Sequence, residues 1–300
     1  MRYAAIVYSH KNVDESKLYE YNIEDRILNN YSCEYVILRT CNRIELYIAA
    51  ENAEKDIKDI LGTLIDDSPQ YEKGEIYTGR NVIKHLFSVA SGLESMLIGE
   101  NEILGQVRTA HDEYTTTKRA GSSLSQLFRS AINTGKKVRT ETRIGRGKTG
   151  IYSLAVDYLK QYANEKIAVV GAGSEASRFL NGFSVGRNIN GKVFSRDPDN
   201  ARMLAEKYSL DYGIFNEKEI KEYGVIFCAY KGKQKVTVND KTLVVDVSVP
   251  RIFYGKNVVY LEDLVKTSNS NNVKRKEEAV GAYRIVEDAV DEFIKRNRLP

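Results

Sequence analysis

Cysteine and histidine are both scarce in this 300-residue sequence, with three of each. The cysteines, Cys33, Cys41 and Cys228, are an odd number at spacings that fit neither a disulfide framework nor a zinc site, so each is read as a free thiol. His10, His85 and His111 lie far apart with no HxxxH or CxxC pair among them, and no metal is expected. Long apolar runs are missing too. None approaches the roughly 20 residues that span a bilayer, so neither a membrane span nor a membrane partner is expected. The opening MRYAAIVYSH lacks the apolar region and cleavage site of a signal peptide, which makes the cytoplasm the expected location. Internal repeats and low-complexity tracts are likewise absent. What remains is the composition of an ordinary globular protein, 42% hydrophobic and 29% charged, and 300 residues suit two domains better than one.

The formal charge of +4 is unevenly spread. Between Lys118 and Lys148 stand Lys118, Arg119, Arg129, Lys136, Lys137, Arg139, Arg143, Arg146 and Lys148 against one acid, Glu141, so this tenth of the chain is strongly positive and the rest is net negative. Such a concentration fits a polyanionic partner, because every phosphate contact releases counterions. A solvated helix face explains the charge equally well.

Residues 1–9, 34–39 and 43–50 read as strands, and 14–30 and 51–65 as helices, a β-α-β-β-α unit that resembles a ferredoxin-like α+β domain. From about 80 to 163 the pattern is helical, with Ile83, Phe87, Ala90, Leu93 and Leu97 at helical spacing and Gly121 and Gly145–Gly150 as interruptions. From 166 onward the short apolar strands IAVV, VF, GVIFC and LVVDV alternate with helices, as in a parallel sheet covered by helices. Residues 271–298 read as one charged helix with no breaker before Pro300. Its stripe of Ala279, Tyr283, Val286, Val290 and Phe293 either lies back along the domains or pairs with a second chain. The expected fold class is thus α/β with α+β. The expected divisions are an N-terminal domain over 1–150, a nucleotide-binding domain over 151–265 and a long helix over 266–300.

The nucleotide domain is read from IAVVGAGSEASRFL at 167–180, where Gly171, Gly173 and Ala176 form GxGxxA between an apolar strand and a helix. Two glycines let the chain turn tightly and approach a pyrophosphate, the small third residue lets helix meet strand, and the helix N-terminus supplies donors. Gly171, Ala172, Gly173, Ser174, Glu175 and Ala176 are therefore the expected cofactor-binding turn of a Rossmann-type domain. An NAD enzyme carries an acid at the end of the second strand to hold the ribose 2′-hydroxyl; here Ser195 and Arg196 come first. Asp197 precedes Pro198 and reads as a helix N-cap. A hydroxyl and a guanidinium suit a 2′-phosphate, which points to NADPH.

In LRTCNRIELYIAA, at 38–50, the polar residues Thr40, Cys41, Asn42 and Arg43 interrupt two apolar strands at their connection. A cysteine in a polar turn beside an arginine is placed to be a reactive thiolate; an inert strand-end cysteine is the plainer alternative. Cys33 and Cys228 read as structural.

These motifs together resemble a known family. TCNR at 40–43 followed by Glu45, HLFSVASGLESMLIGENEILGQVR at 85–108, RTET at 139–142, GAG at 171–173 and VDVSVPR at 245–251 look, in that order and over almost the whole chain, like glutamyl-tRNA reductase. The resemblance implies NADPH-dependent reduction of glutamyl-tRNA(Glu) to glutamate-1-semialdehyde, the first step of five-carbon 5-aminolevulinate and tetrapyrrole synthesis. In that scheme Cys41 forms a thioester with the glutamyl group and His85 assists as proton donor, acceptor or orienter. Arg43 binds the substrate side-chain carboxylate, and Thr40, Asn42, Ser95, Glu100, Asn101, Glu102 and Gln106 contact substrate. His10 matches the family's early His-Lys pair and carries no assigned role; His111 reads as structural. The family's Pro and Gln in GEPQILGQ are Asn101 and Glu102 here, and its Val-Ser pair before the nucleotide domain is Thr149-Gly150. The sequence stops partway down the long helix, where the family continues into a helical dimerisation domain, so at most a weak homodimer is expected. Glutamate-1-semialdehyde aminomutase is the other partner the family implies. Two rival readings stay open: a thiol-dependent reductase of small acyl groups, and a non-catalytic tRNA-binding relative.

Overall fold

The computed structural model describes residues 2–40, 42–145, 151–162, 164–267 and 269–299, divided into two units, Met1–Thr149 with Asn271–Pro300, and Gly150–Ser270. In the first unit the chain runs β1 (Arg2–Ser9), α1 (Asp25–Leu28), β2 (Glu34–Arg39), β3 (Arg43–Ala50), α2 (Ala53–Asp67) and β4 (Glu75–Thr78). The strands pair antiparallel in the order β2-β3-β1-β4, the ferredoxin-like arrangement expected from the sequence. Alternation sorts the side chains between two layers. Ile44, Leu46 and Ile48 of β3 join Ala4, Ile6 and Tyr8 of β1 against α2, while Tyr47 and Ala49 join Tyr3, Ala5 and Val7 in the core on the opposite face.

Three details differ from the sequence expectation. The segment 14–30 is not one helix: a 3-10 turn (Glu15–Glu20) and α1 flank an extended stretch. There Tyr21 and Ile23 alternate inward, and the Arg39 guanidinium takes up the Tyr21 and Ile23 carbonyls that a helix would otherwise have paired. β4 was not anticipated, being four residues long and largely half-exposed at the sheet edge. Beyond it α3 (Gly79–Ala90) stops before Leu93 and Leu97, which reach the interior from a loop over 91–101. That loop turns at Gly92 and Gly99, with φ of +77° and +85°, and a Cβ at Gly99 would stand 1.9 Å from the Ile144 carbonyl oxygen. No side chain fits there. α4 (Glu102–Thr116) and α5 (Ser122–Glu141) complete the layer over β2 and β3.

The second unit opens with α6 (Ile151–Leu159), then β5 (Ile167–Val170), α7 (Ser174–Phe183), β6 (Gly191–Ser195), α8 (Pro198–Glu206), β7 (Asp211–Ile214), α9 (Glu217–Ile220) and β8 (Val225–Cys228). β9 (Val236–Thr237), β10 (Leu243–Asp246), β11 (Phe253–Tyr254), β12 (Val258–Tyr260) and α10 (Leu261–Thr267) follow. Six parallel strands lie in the order β12-β10-β8-β5-β6-β7, the doubly wound order in which the chain reverses direction next to its first strand. The sequence reading captured the four central strands and missed the edges β7 and β12.

The last helix, α11 (Asn269–Asn297), returns to the first unit. Ala279, Ala282, Val286, Val290 and Phe293 are buried in the core shared by α3, α4 and α5, with Phe293 edge-on to Phe87 at 5.8 Å. Ion pairs from Arg80 to Glu287 and Asp291, and from Lys84 to Glu287, fasten the rim. Of the two readings of the stripe, the structure shows the helix lying back on its own chain; Tyr283 stands outside, 40% exposed. Among the described residues no helix is long and apolar enough to cross a membrane.

Candidate functional site

Arg43, Glu45 and Tyr47 occupy alternate positions on β3 and therefore share one face of the sheet, the face covered by α3. All three are buried. The Glu45 carboxylate accepts hydrogen bonds from Arg43 Nη1 at 2.9 Å and from the Tyr47 hydroxyl, and meets His85 Nε2 of α3 at 3.1 Å. Burial alone would push this carboxyl up, but the charges of His85 and Arg43, with the hydrogen bonds from His85 and Tyr47, hold it down at about 2. A carboxylate only accepts, so His85 Nε2 bears a proton and Nδ1 is the atom left to exchange one. Tyr77 of β4 stacks on the imidazole, centroids 4.6 Å apart and 21° from parallel. The Arg43 guanidinium also donates through Nη2 to the Glu94 carbonyl, and Lys11 pairs with the Glu94 carboxylate. Arg43, expected from the family resemblance to bind the substrate side-chain carboxylate, is 2% exposed and spends these donors inside the protein.

Cys41 lies outside the described residues, but both of its flanks are placed. Thr40 donates its amide to the Arg43 carbonyl at 2.9 Å, and its hydroxyl oxygen accepts from the Asn42 amide at 3.1 Å, so the end of β2 is tied to the start of β3. Beside it, the His10 amide donates to the Asn42 carbonyl at 3.1 Å. Asn42 Oδ1 and His10 Nδ1 are buried with no hydrogen-bond partner among the described residues. Burial first, then Arg43 and Lys11, push the His10 imidazole down to about 4, so it is neutral near pH 7. Buried polar atoms are seldom left unpaired except where a ligand or water is taken up. Sequence reasoning gave His10 no role; the pairing of Ser9 with Arg43 across β1 and β3 is the feature that puts it here.

The loop 91–101 brings Ser95, itself buried, next to Glu94. Glu100, buried, and Asn101, exposed, close that loop, while Glu102 and Gln106 are half-buried on the first turns of α4. Arg139 of α5 holds this corner by donating to the carbonyls of Ala90, Gly135 and Glu100 at 2.8 to 2.9 Å. Burial pushes its guanidinium down to about 10 despite the opposing charge of Glu100. Arg139 is therefore committed to the fold, and Arg119 pairs with Asp25. Arg129, Lys136, Lys137 and Arg143 remain exposed, while Arg146, Lys148 and the Thr149-Gly150 pair lie outside the described residues.

In the second unit Gly171 has φ +114°, donates its amide to the Phe194 carbonyl at 2.7 Å, and passes so close to the next strand's turn that a Cβ would stand 2.2 Å from the Ala229 carbonyl oxygen. Gly173 caps α7, Ala176 is fully buried against the sheet, and Ala172, Ser174 and Glu175 line the turn, the last two bonded to each other at 3.1 Å. A bare backbone leading into a helix N-terminus is the cradle a pyrophosphate requires. Asp197 caps α8, accepting from the amides of Asp199 and Asn200, as its sequence context indicated. Ser195 and the exposed Arg196 are left at the end of β6, where a 2′-phosphate would fall.

The other thiols are unsuited to nucleophilic work. Burial, with Asp56 and Glu34, pushes Cys33 up to about 11, and complete burial drives Cys228 well above the ordinary thiol range. His111 packs flat on Phe128 and bonds Asp112, a structural role as read from sequence. Among the described residues no cluster of His, Cys, Asp and Glu could hold a metal ion.

Comparison with known proteins agrees with this layout. The family model for the N-terminal domain of glutamyl-tRNA(Glu) reductase matches residues 8–142. Glutamyl-tRNA reductase of Saccharolobus islandicus is 34% identical over 304 residues, covering 97% of this chain and 71% of that one, and the Sulfurisphaera tokodaii protein is 35% identical over 99% and 75%. The solved glutamyl-tRNA reductase of Methanopyrus kandleri aligns over 98% of this chain and 80% of its own with a TM-score of 0.60 at 25% identity. With relatives 34% and 35% identical over 97% and 99% of this chain, the chain belongs to the glutamyl-tRNA reductase family.

Proposed function

We propose that this chain reduces the glutamyl group of glutamyl-tRNA(Glu) to glutamate-1-semialdehyde, the first step of the five-carbon route to 5-aminolevulinate, with Cys41 as nucleophile. The observation that carries the reading is the buried Arg43–Glu45–His85 network, which starts two residues from Cys41. Buried charge is costly, and a protein retains it where a proton or a substrate must be handled.

The Cys41 thiol gives its proton to His85 Nδ1 as its sulfur attacks the ester carbonyl, a C–S bond forms, and the C–O bond to the terminal ribose of the tRNA breaks. The departing oxygen takes a proton. His85 Nδ1 is suited to deliver it, with Glu45 holding the ring in register through Nε2. A thioester accepts hydride more readily than an oxygen ester because sulfur donates less resonance into the carbonyl, so the reduction is divided into two easier steps. NADPH, when bound, supplies the hydride, and the thiolate then leaves to free the aldehyde. Gly171 to Ala176 are suited to its pyrophosphate, and Ser195 and Arg196 to its 2′-phosphate. Asn42 Oδ1 and His10 Nδ1 offer acceptors to substrate donors, with Thr40 and Ser95 beside them; Glu100, Asn101, Glu102 and Gln106 complete the set carried by the family pattern. Exposed Arg129, Lys136, Lys137 and Arg143 suit the tRNA backbone. A cytoplasmic location and transfer of the aldehyde to glutamate-1-semialdehyde aminomutase accompany this reading.

The test uses labelled glutamyl-tRNA without NADPH. Wild type should retain hydroxylamine-sensitive label and Cys41→Ser should not; equal labelling eliminates the mechanism. Turnover of a small activated glutamate as fast as charged tRNA would favour a reductase of free acyl groups instead.

A further inference from the structure

Tyr230 is the second residue after β8. Its turn is pinned from both sides: the Ala229 amide donates to the Val170 carbonyl at 2.8 Å, and the Tyr230 amide donates to the Ser248 hydroxyl at 2.9 Å. The Ala229 carbonyl is the group that fills the space beside Gly171, so this turn and the glycine turn are packed in contact. The Tyr230 ring, 3% exposed, lies against Phe215 with centroids 4.8 Å apart and 27° between planes. Phe215 is in turn tied to the end of β6 by its amide, which donates to the Ser195 carbonyl at 2.9 Å. Over the Tyr230 ring, 5.7 Å from its centre, stands the guanidinium of Arg196. One buried aromatic therefore joins the ends of β6, β7 and β8 and presents a fixed surface to an otherwise exposed cation.

We propose that Tyr230 is a positioning residue for cofactor discrimination, holding the Arg196 guanidinium where the 2′-phosphate of NADPH is received; the proposal rests on the NADPH reading above. An exposed arginine has many rotamers, and ordering it on binding cancels much of what its phosphate bonds contribute. Stacking on an aromatic face orders the guanidinium beforehand while leaving its N–H edges free for phosphate oxygens. The neighbouring acid does not compete for it, because Asp197 is engaged in capping α8. Specificity for the phosphorylated cofactor is thus set by a ring in the next βα turn as well as by the arginine itself.

Fluorescence titration of the full chain with NADPH and NADH tests this. Tyr230→Met, which keeps a long apolar side chain and removes the aromatic face, should weaken NADPH about 3- to 10-fold more than NADH, the loss of one cation–π contact. Tyr230→Phe should restore the wild-type ratio. On an Arg196→Ala background Tyr230→Met should add nothing to the discrimination. Equal loss for both cofactors, or an additive loss on that background, overturns the proposal. Should Tyr230→Met fail to fold, progressively fluorinated phenylalanine at 230 keeps the shape and weakens the ring's negative face: a graded fall in the NADPH to NADH ratio supports the assignment, and a flat series overturns it. Wild type that binds neither cofactor would instead refute the NADPH reading itself.

Discussion

Glu45 in the first unit and Asp246 in the second are both buried carboxylates, and they are held in opposite ways. Asp246 accepts from the amides of Ser248, Ile252 and Phe253 at 2.8 to 2.9 Å, yet burial outweighs those bonds and its pKa stays raised. Glu45 is more deeply buried and is held at about 2 against that burial by His85, Arg43 and the Tyr47 hydroxyl. Amide donors fasten a loop; opposed charges keep a side chain ionised in a dry interior. Asp246 organises the turn that follows β10, whereas Glu45 orients an imidazole, and the difference separates a folding device from a chemical one.

The largest expected effect comes from breaking the charged network. Glu45→Gln leaves the Arg43 guanidinium buried without its counter-charge and should cost about 3–5 kcal/mol by denaturant unfolding. Replacing Arg43 and Glu45 together by Met should cost less than that single change; a double variant no more stable than Glu45→Gln would show that the charges are not balanced against each other. Asp246→Asn should cost about 1–3 kcal/mol, since the incoming NH2 faces backbone donors in place of an acceptor. A loss as large as that of Glu45→Gln would erase the distinction between the two carboxylates.

The smallest effect is one of slope. Glu45 has a folded value below its ordinary 4.5, so its contribution is present above that pH and lost as pH falls toward about 2. Asp246 has a raised folded value, so its contribution is full below the ordinary 3.8 and lost as pH rises. The stability gap between wild type and Glu45→Gln should therefore narrow in acid, and the gap to Asp246→Asn should narrow as pH rises from acid. Parallel slopes would contradict the opposite directions of the two shifts.

Much of this frame was legible beforehand. Strands β1 to β3, the glycine turn and the Asp197 cap follow from alternation, glycine spacing and an Asp-Pro pair, all local signals. The edge strands β4, β7 and β12 escaped because short, partly exposed segments carry no alternating pattern. Leu93 and Leu97 continued the apolar spacing of α3, and only the positive φ at Gly92 and Gly99 shows that the helix has ended. The Glu45–His85 contact spans 40 residues of sequence. A partial clue was available: Arg43, Glu45 and Tyr47 alternate with Ile44, Leu46 and Ile48, so one face of a central strand carries polar groups that must find partners. What sequence could not supply was the layer covering that face, and with it the burial of the Arg43 guanidinium.

Because α11 closes the core begun by β1, the second unit is an insertion within the chain of the first. During synthesis residues 150–270 are all available before Val286, Val290 and Phe293 leave the ribosome. The nucleotide-binding unit can complete its fold while the unit carrying His85 still exposes the seat of its last helix. Limited proteolysis of nascent chains released at residue 270 should find the inserted unit protected and the N-terminal segment open, so that the redox half of the molecule matures before the half that would hold the acyl group.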